Sequence, residues 1–361
     1  MKKSFVLVAF IMVSLGMCSG SAWAVWSVTN LHPAGASVSH AYGVSGGQQV
    51  GDADGDASLW TGTAASRVNL KPASATYSYG KGVGGGQQVG YATVLGVSHA
   101  SLWSGSAATW VDLTPSGSVG ALAYGVSDGK QVGTTNTGGG YHASLWTGTA
   151  ESWVDLNPTG STTQSEAYGV SSTQQVGRTV YGVDSYHAAL WSGTAASWVD
   201  LNPAGEANSF AWAVSDGKQG GWVTVGGAYG DEHAALWSGL ADGWVDLHPA
   251  GASDSKVYGV SGSLQVGIAR VGSDLHASLW SGTPESWADL HTLLPLGYTY
   301  SIATGIEVSG SDIWVSGYAY NASLHRDEAM LWHDVIPEPS SFLTLAAGLP
   351  ALAFGLRRRL R

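Results

Sequence analysis

Histidine and carboxylate are the residue types from which acid–base and metal chemistry is built, and this chain sets them out at regular positions. His99, His142, His187, His233 and His276 recur at one place in a repeated pattern, with Asp56 and Glu328 filling the same place twice more. Asp112, Asp155, Asp200, Asp246 and Asp289 recur at a second place. Groups that repeat once per structural unit lie in different units and do not converge on one ion or substrate. Their recurrence predicts architecture, one hydrogen bond per unit between strand and loop.

Polar residues that break the pattern are better candidates for chemistry. His40, Glu166 and Lys256 share a position just before the innermost strand of their units. A base, an acid and a cation around one opening would suit proton transfer. Asp52-Ala53-Asp54-Gly55-Asp56 resembles part of a calcium loop, since closely spaced carboxylates suit a hard cation, but the later bidentate acid of an EF-hand is missing. No spacing compels a nucleophile–base pair, and no catalytic residue is assigned.

The elements that must position these residues are repeats. The Trp that ends Ala-Ser-Leu-Trp recurs at Trp60, Trp103, Trp146, Trp191, Trp237, Trp280 and Trp332, at intervals of 43, 43, 45, 46, 43 and 52 residues. That period fits four-stranded propeller blades. Each unit carries four β-like segments: Ala-Tyr-Gly-Val-Ser, Gln-Gln-Val-Gly, His-Ala-Ser-Leu-Trp and Trp-Val-Asp-Leu. The first type occurs seven times, but the fourth follows only six of the tryptophans. The seventh copy is Trp26-Ser27-Val28-Thr29-Asn30-Leu31-His32-Pro33, at the front of the chain. A leading strand that completes the last unit closes a ring and hides its edges. The expected fold is therefore an all-β, seven-bladed propeller over 25–334, with a β-solenoid or two-sheet stack as the alternative.

In such a ring the second-to-third loops share a face with the fourth-to-first loops, and here the second-to-third loops vary in length. Tyr91, Tyr141, Tyr181, Tyr186, Tyr229, Tyr318 and Tyr320 are expected on them. There they would stack on sugar rings or pack the loops onto the blades.

The two ends carry addresses. Lys2-Lys3, an apolar run from Phe5 to Met17 and Ala22-Trp23-Ala24 form a secretory signal peptide, residues 1–24, with cleavage expected after Ala24. Lipoprotein processing at Cys18 is the rival. Cys18 is the chain's one cysteine, so cleavage after Ala24 leaves a core held by packing and strand pairing alone. At the other end Pro337-Glu338-Pro339 precedes an apolar stretch, Phe342 to Leu356, and then Arg357-Arg358-Arg359-Leu360-Arg361. As a helix this stretch spans about 22 Å, short of the roughly 30 Å hydrocarbon core.

That arrangement, residues 335–361, resembles the PEP-CTERM sorting signal of Gram-negative bacteria. The resemblance implies reading by an exosortase at Pro337, Glu338 and Pro339, transient inner-membrane anchoring, and delivery to the cell surface or its exopolysaccharide. The repeats resemble the HAF family of extracellular repeats, with Ser or Ala in place of Phe in His99-Ala100-Ser101-Leu102-Trp103 and His187-Ala188-Ala189-Leu190-Trp191. That family implies export and repeat architecture, and no activity.

Lys2, Lys3 and four C-terminal arginines lie outside residues 25–334, leaving nine of 15 Lys+Arg there; Glu338 alone lies outside among 26 Asp+Glu, leaving 25, so this span carries about −16. Such a charge excludes a nucleic-acid partner and suits cations or neutral polymers. The expected function is a non-enzymatic binding or structural protein of the cell envelope, with polysaccharide as the partner and no cofactor beyond a calcium ion. A polysaccharide hydrolase or lyase is the alternative.

Overall fold

The repeat places two demands on the backbone: small residues where blades meet, and a kink where each blade reaches the ring axis. In the computed structural model, which describes residues 26–160, 164–181, 185–227 and 229–335, both are met seven times. Residues 26–336 form one compact unit of seven four-stranded antiparallel sheets. Blade one runs Ser39–Ser45, Gln48–Ala53, Asp56–Trp60 and Val68–Asn69 from axis to rim. The innermost strands of blades two to seven are Tyr77–Gly84, Gly120–Ser127, Gln164–Val170, Ser209–Ser215, Ser255–Ser261 and Tyr298–Ser309. Each packs on the next, and the seventh packs on the first. The leading strand, Ser27–Asn30, pairs with Arg326–Val335 and supplies the outer strand of blade seven. The ring is closed as the repeat count requires. The signal peptide, Cys18 and the Pro337-Glu338-Pro339 tail lie outside the described residues.

Tryptophan knits the blades together. All seven repeat tryptophans are buried, each against its predecessor: Trp103 packs on Val50, Leu59 and Leu70 of blade one, and Trp60 on Leu31, Ala329 and Leu331 of blade seven. Truncating one to alanine costs about 3–5 kcal/mol. Polar groups bridge the same seams. Buried Ser39, Ser78, Ser165, Ser209, Ser255 and Ser301 each accept a backbone N–H from the third strand of the preceding blade at 2.9–3.0 Å. Blade three has Ala121 there, and Thr114 Oγ1 accepts the Ala100 N–H instead. The Gln of Gln-Val-Gly is buried and anchors the third-to-fourth loop. Gln49, Gln88, Gln131, Gln175, Gln219 and Gln265 accept the N–H of Gly62, Gly105, Gly148, Gly193, Gly239 and Gly282 at 2.7–2.9 Å.

The repeated His and Asp pair within each blade. Nδ1 of His99, His142, His187, His233 and His276 lies 2.7–2.8 Å from a carboxylate oxygen of Asp112, Asp155, Asp200, Asp246 and Asp289 respectively. The second oxygen of each aspartate accepts the N–H two residues on, fixing the turn into the next blade. The bond joins third strand to fourth strand rather than strand to loop.

Candidate functional site

Every innermost strand contains a β-bulge at the same place, and that of blade seven has a second irregularity, between Tyr298 and Tyr300. Register shifts fall between Ala41 and Gly43, Gly80 and Gly82, Ala123 and Gly125, Ala167 and Gly169, Ala211 and Ala213, Val257 and Gly259, and Ala303 and Gly305. The residues caught in the bulges are Tyr42, Lys81, Tyr124, Tyr168, Trp212, Tyr258 and Thr304. An unpaired residue in a bulge is re-aimed out of the sheet. Here all seven line a cavity of about 380 Å³ on the ring axis, joined by Ile302 and Tyr318.

The geometry explains the glycine of Gln-Val-Gly. A Cβ on Gly51, Gly90, Gly133, Gly177, Gly221, Gly267 or Gly317 would lie 1.7–2.0 Å from a carbonyl oxygen of the bulged strand opposite. Glycine is thus required at these positions by close approach of backbone to backbone.

The belt is mostly aromatic and in mutual contact. Tyr124 stacks on Tyr168 with ring centroids 4.7 Å apart, Tyr168 lies 4.5 Å from Trp212, and Trp212 meets Tyr258 edge-on at 5.7 Å. Across the channel Lys81 Nζ sits 3.9 Å from the centroid of Tyr42, which meets Tyr318 edge-on at 6.4 Å. Burial raises the phenols of Tyr42, Tyr124, Tyr168 and Tyr258 above their ordinary range and pushes Tyr318 up to about 12, so these tyrosines are uncharged at neutral pH.

His40, Glu166 and Lys256 lie inside their strands rather than before them, and they do not come together. Each is neutralised separately. His40 bridges Asp52 (Nδ1 to Oδ1, 3.2 Å) and Asp327 (Nε2 to Oδ2, 3.4 Å). Burial by itself would lower this imidazole, but the bonds to Asp327 and Asp52 outweigh it and raise it to about 9. Glu166 accepts from Tyr168 and Arg178 at 2.6 Å, and Lys256 pairs with Glu232 at 2.6 Å beside the Trp222 ring. The expected acid–base trio is three independent ion pairs.

The acidic run behaves similarly. Asp52 is held by His40, Asp54 accepts the N–H of Ser37 and Val38, and Asp56 takes Lys71 at 2.5 Å and Asn69. The three carboxylates serve three different partners. Among the described residues no group of three or more His, Cys, Asp and Glu is gathered to hold a metal ion.

The seven tyrosines expected on one loop face are dispersed. Tyr91, Tyr141, Tyr186, Tyr318 and Tyr320 lie in strands, because the second and third strands run further than the motifs implied. Tyr181 packs on His187, Tyr229 is fully exposed on its loop, and Tyr318 alone reaches the channel. A side cleft between blades six and seven, lined by Arg270, Asp274, Tyr300 and Asp327 among others, shares Ile302 and Tyr318 with the channel. Both Asp327 oxygens are engaged there, by His40 and the Tyr300 hydroxyl, and hydrogen bonds from His40 and Tyr300 hold its carboxyl below its usual value against the effect of burial.

Sequence reasoning missed the belt. Its tyrosines were legible only as strand formers; the signal for a site was Lys81, the one charge at that repeat position.

No family model matches the chain, and no curated protein matches it. Solved structures share the fold. A structure titled YCF48 bound to D1 peptide aligns at TM-score 0.50 and 11% identity over 87% of this chain and 97% of that one. A Mycobacterium tuberculosis puromycin-hydrolyzing peptidase aligns at 0.51 and 12% over 83% and 54%. TolB from Acinetobacter baumannii aligns at 0.45 and 11% over 71% and 64%. The chain thus spans less than two thirds of TolB and about half of the peptidase. At these identities the likeness to the first two is one of fold.

Proposed function

We propose that this is an exported β-propeller of the cell surface or its exopolysaccharide matrix, and that it binds saccharide in the aromatic channel rather than transforming it. The observation that carries the reading is the bulged belt: five aromatic side chains from five blades, joined by Tyr318, around one cavity of about 380 Å³. Flat, amphipathic rings held rigidly by strands suit the apolar faces of sugar rings, with hydroxyl groups at their edges. The side chains that would serve acid–base catalysis argue for binding. Among the nine residues that line the channel there is no carboxylate, and the nearby Asp52, Asp327 and Glu166 are held in ion pairs. A hydrolase or lyase needs such groups free to take or give a proton.

Export rests on the two ends. The signal sequence ending at Ala24 and the tail with Pro337, Glu338 and Pro339 support passage through the export machinery, exosortase processing and surface delivery in a Gram-negative cell. A glycan array with the purified protein tests the binding role. Binding to at least one extracellular polysaccharide, lost on Trp212→Ala or Tyr168→Ala, is expected; no binding to any glycan overturns the reading.

A further inference from the structure

We propose that the channel is selective for an acidic saccharide, a uronic acid residue whose carboxylate pairs with Lys81 while its ring lies against the aromatic belt. This rests on the saccharide reading and sharpens it.

Lys81 is the one charged side chain lining the cavity. It occupies the bulge where five other blades place Tyr or Trp and blade seven places Thr304. Its ammonium has no hydrogen-bond or ion-pair partner among the described residues; the face of Tyr42 at 3.9 Å and that of Tyr79 at 5.5 Å are its neighbours. Burial lowers its pKa, with the charge of Asp52 opposing.

A cation half-removed from water without a counter-ion is costly, and aromatic faces offset only part of that cost. Elsewhere in the ring comparable cations are paired. Lys71, Arg178, Lys256, Arg270 and Arg326 each reach a carboxylate within 3.0 Å. Asp52, Asp327 and Glu166, the acids beside the channel, are taken by His40, Tyr300, Arg178 and Tyr168. The arrangement leaves one positive charge inside an aromatic chamber of an otherwise acidic protein; Asp52 acts on it only at a distance and is already paired with His40, so no carboxylate of the described residues forms an ion pair with it. A ligand that brings one carboxylate on a flat, hydroxylated body completes the site. Such a ligand restores the counter-ion and lays its ring against Tyr42 or across to Trp212. The violation of local rules at one blade in seven is what a functional position looks like.

The test uses the full chain and the fluorescence of Trp212 and its neighbours, titrated with three probes: a tetrasaccharide of galacturonate, the uncharged galactose tetrasaccharide, and benzoate. Wild type is compared with Lys81→Met and with Lys81→Tyr, which restores the repeat. The expected result is at least tenfold tighter binding of the uronate than of its neutral counterpart. That preference vanishes in both variants.

Equal binding of both tetrasaccharides, indifferent to Lys81, overturns the anion selectivity and leaves the saccharide reading standing. No response to either tetrasaccharide, with benzoate binding that depends on Lys81, retains the carboxylate site and overturns the saccharide reading. No response to any probe overturns both. The unliganded variants give a second readout. Lys81→Tyr melting above wild type supports a site held at the expense of stability. Both variants melting below wild type would make Lys81 a strut for Tyr42 and Tyr79, and would overturn the proposal.

Discussion

The rim and the axis of this ring are built from the same repeats yet obey different rules. At the rim, five His–Asp pairs repeat with nearly identical distances, and the Asp turn that follows is the same in each blade. At the axis the backbone repeats, with seven bulges at one position, but the side chains do not. Tyr42, Lys81, Trp212 and Thr304 occupy equivalent places, and His40, Glu166, Phe210 and Lys256 alternate beside them. Where side chain and backbone repeat together, the residue maintains the fold. Where the backbone repeats and the side chain departs, the fold does not dictate the residue, and the proposed binding site lies there. Perturbing the rim should therefore change stability alone, whereas perturbing the axis should change binding.

The largest effect is expected from the one element shared between the ends of the chain. Ser27–Asn30 pairs along Met330 to His333, and Leu31 behind it is fully buried against Trp60 of blade one. Deleting residues 25–33 exposes the outer edge of blade seven and opens the seam to blade one. Loss of the cooperative thermal transition in circular dichroism is expected, whereas removing 336–361 should leave the transition in place. A normal melt for the first deletion would mean that the ring does not depend on its closing strand.

The bulge itself comes next. Gly133→Ala places a methyl 1.9 Å from the Leu122 carbonyl, so the inner strand of blade three must shift and carry Tyr124 with it. About 3 kcal/mol of destabilisation is expected from chemical denaturation. A weakened saccharide response at a temperature where the variant is still folded is expected with it. Asp155→Ala, at the rim of the same blade, should cost about 1 kcal/mol and leave binding intact. Equal effects of the two on binding would erase the distinction between rim and axis.

Why the rim was legible in the sequence and the axis was not follows from the same contrast. Blade count, closure at Trp26–Pro33 and the structural character of the histidines could be read because each rests on a residue recurring at a fixed interval. The bulge left a trace as well, the glycine of Gln-Val-Gly and the one after the tyrosine, but glycine between strands reads equally as a turn. Placement of His40, Glu166 and Lys256 failed because opposite-strand partners such as Arg178 and Asp52 belong to segments whose register the motifs do not set. The tyrosines were misplaced onto loops because Tyr91 and Tyr318 continue strands past the glycines, Gly90 and Gly317, that appeared to end them.

Acid and alkali should separate the seams from the channel mouth. Ser39, Ser255 and Ser301 each accept a backbone N–H and lie 2.8–2.9 Å from Nδ1 of His32, His248 and His291. In the first two rings Nε2–H faces Ala36 O and Ala252 O, which can only accept, so in the neutral form Nδ1 accepts the serine proton. Burial lowers the pKa of all three. The unfolded chain therefore binds more protons as pH falls below about 6.5, and stability declines there. His40, raised to about 9, works in the opposite sense: its contribution is complete below about 6.5 and is lost as pH climbs through 9. The melting temperature should peak near neutrality, and His40→Gln should flatten the alkaline limb while leaving the acid limb unchanged. An alkaline limb that survives the substitution would show that the bridge between Asp52 and Asp327 is not held by an imidazolium.

The smallest expected change is a gain, and it tests whether the rim tolerates being made more regular. Trp110, Trp153 and Trp287 donate Nε1–H to Ser101, Ser144 and Ser278 at 2.8–2.9 Å, and each serine in turn donates to a carbonyl two residues back. Blade one keeps the serine and replaces the indole, with Arg67 Nε reaching Ser58 at 2.9 Å. Blade four keeps the indole and loses the serine: Ala189 stands opposite, and Trp198 Nε1 is buried without a partner among the described residues. A buried donor left unmet costs more than a neutral hydrogen bond contributes on average. Ala189→Ser adds one oxygen where three sister blades already accommodate it, with the His187 carbonyl available to its proton. About 1 kcal/mol of added stability is expected, a rise of about 2 °C in calorimetry, with saccharide binding unchanged. In a Trp198→Phe background the gain should disappear, since no donor remains to be satisfied. A gain that persists there would assign it to the serine's own contacts, and an absent gain in wild type would mean that water already meets the indole.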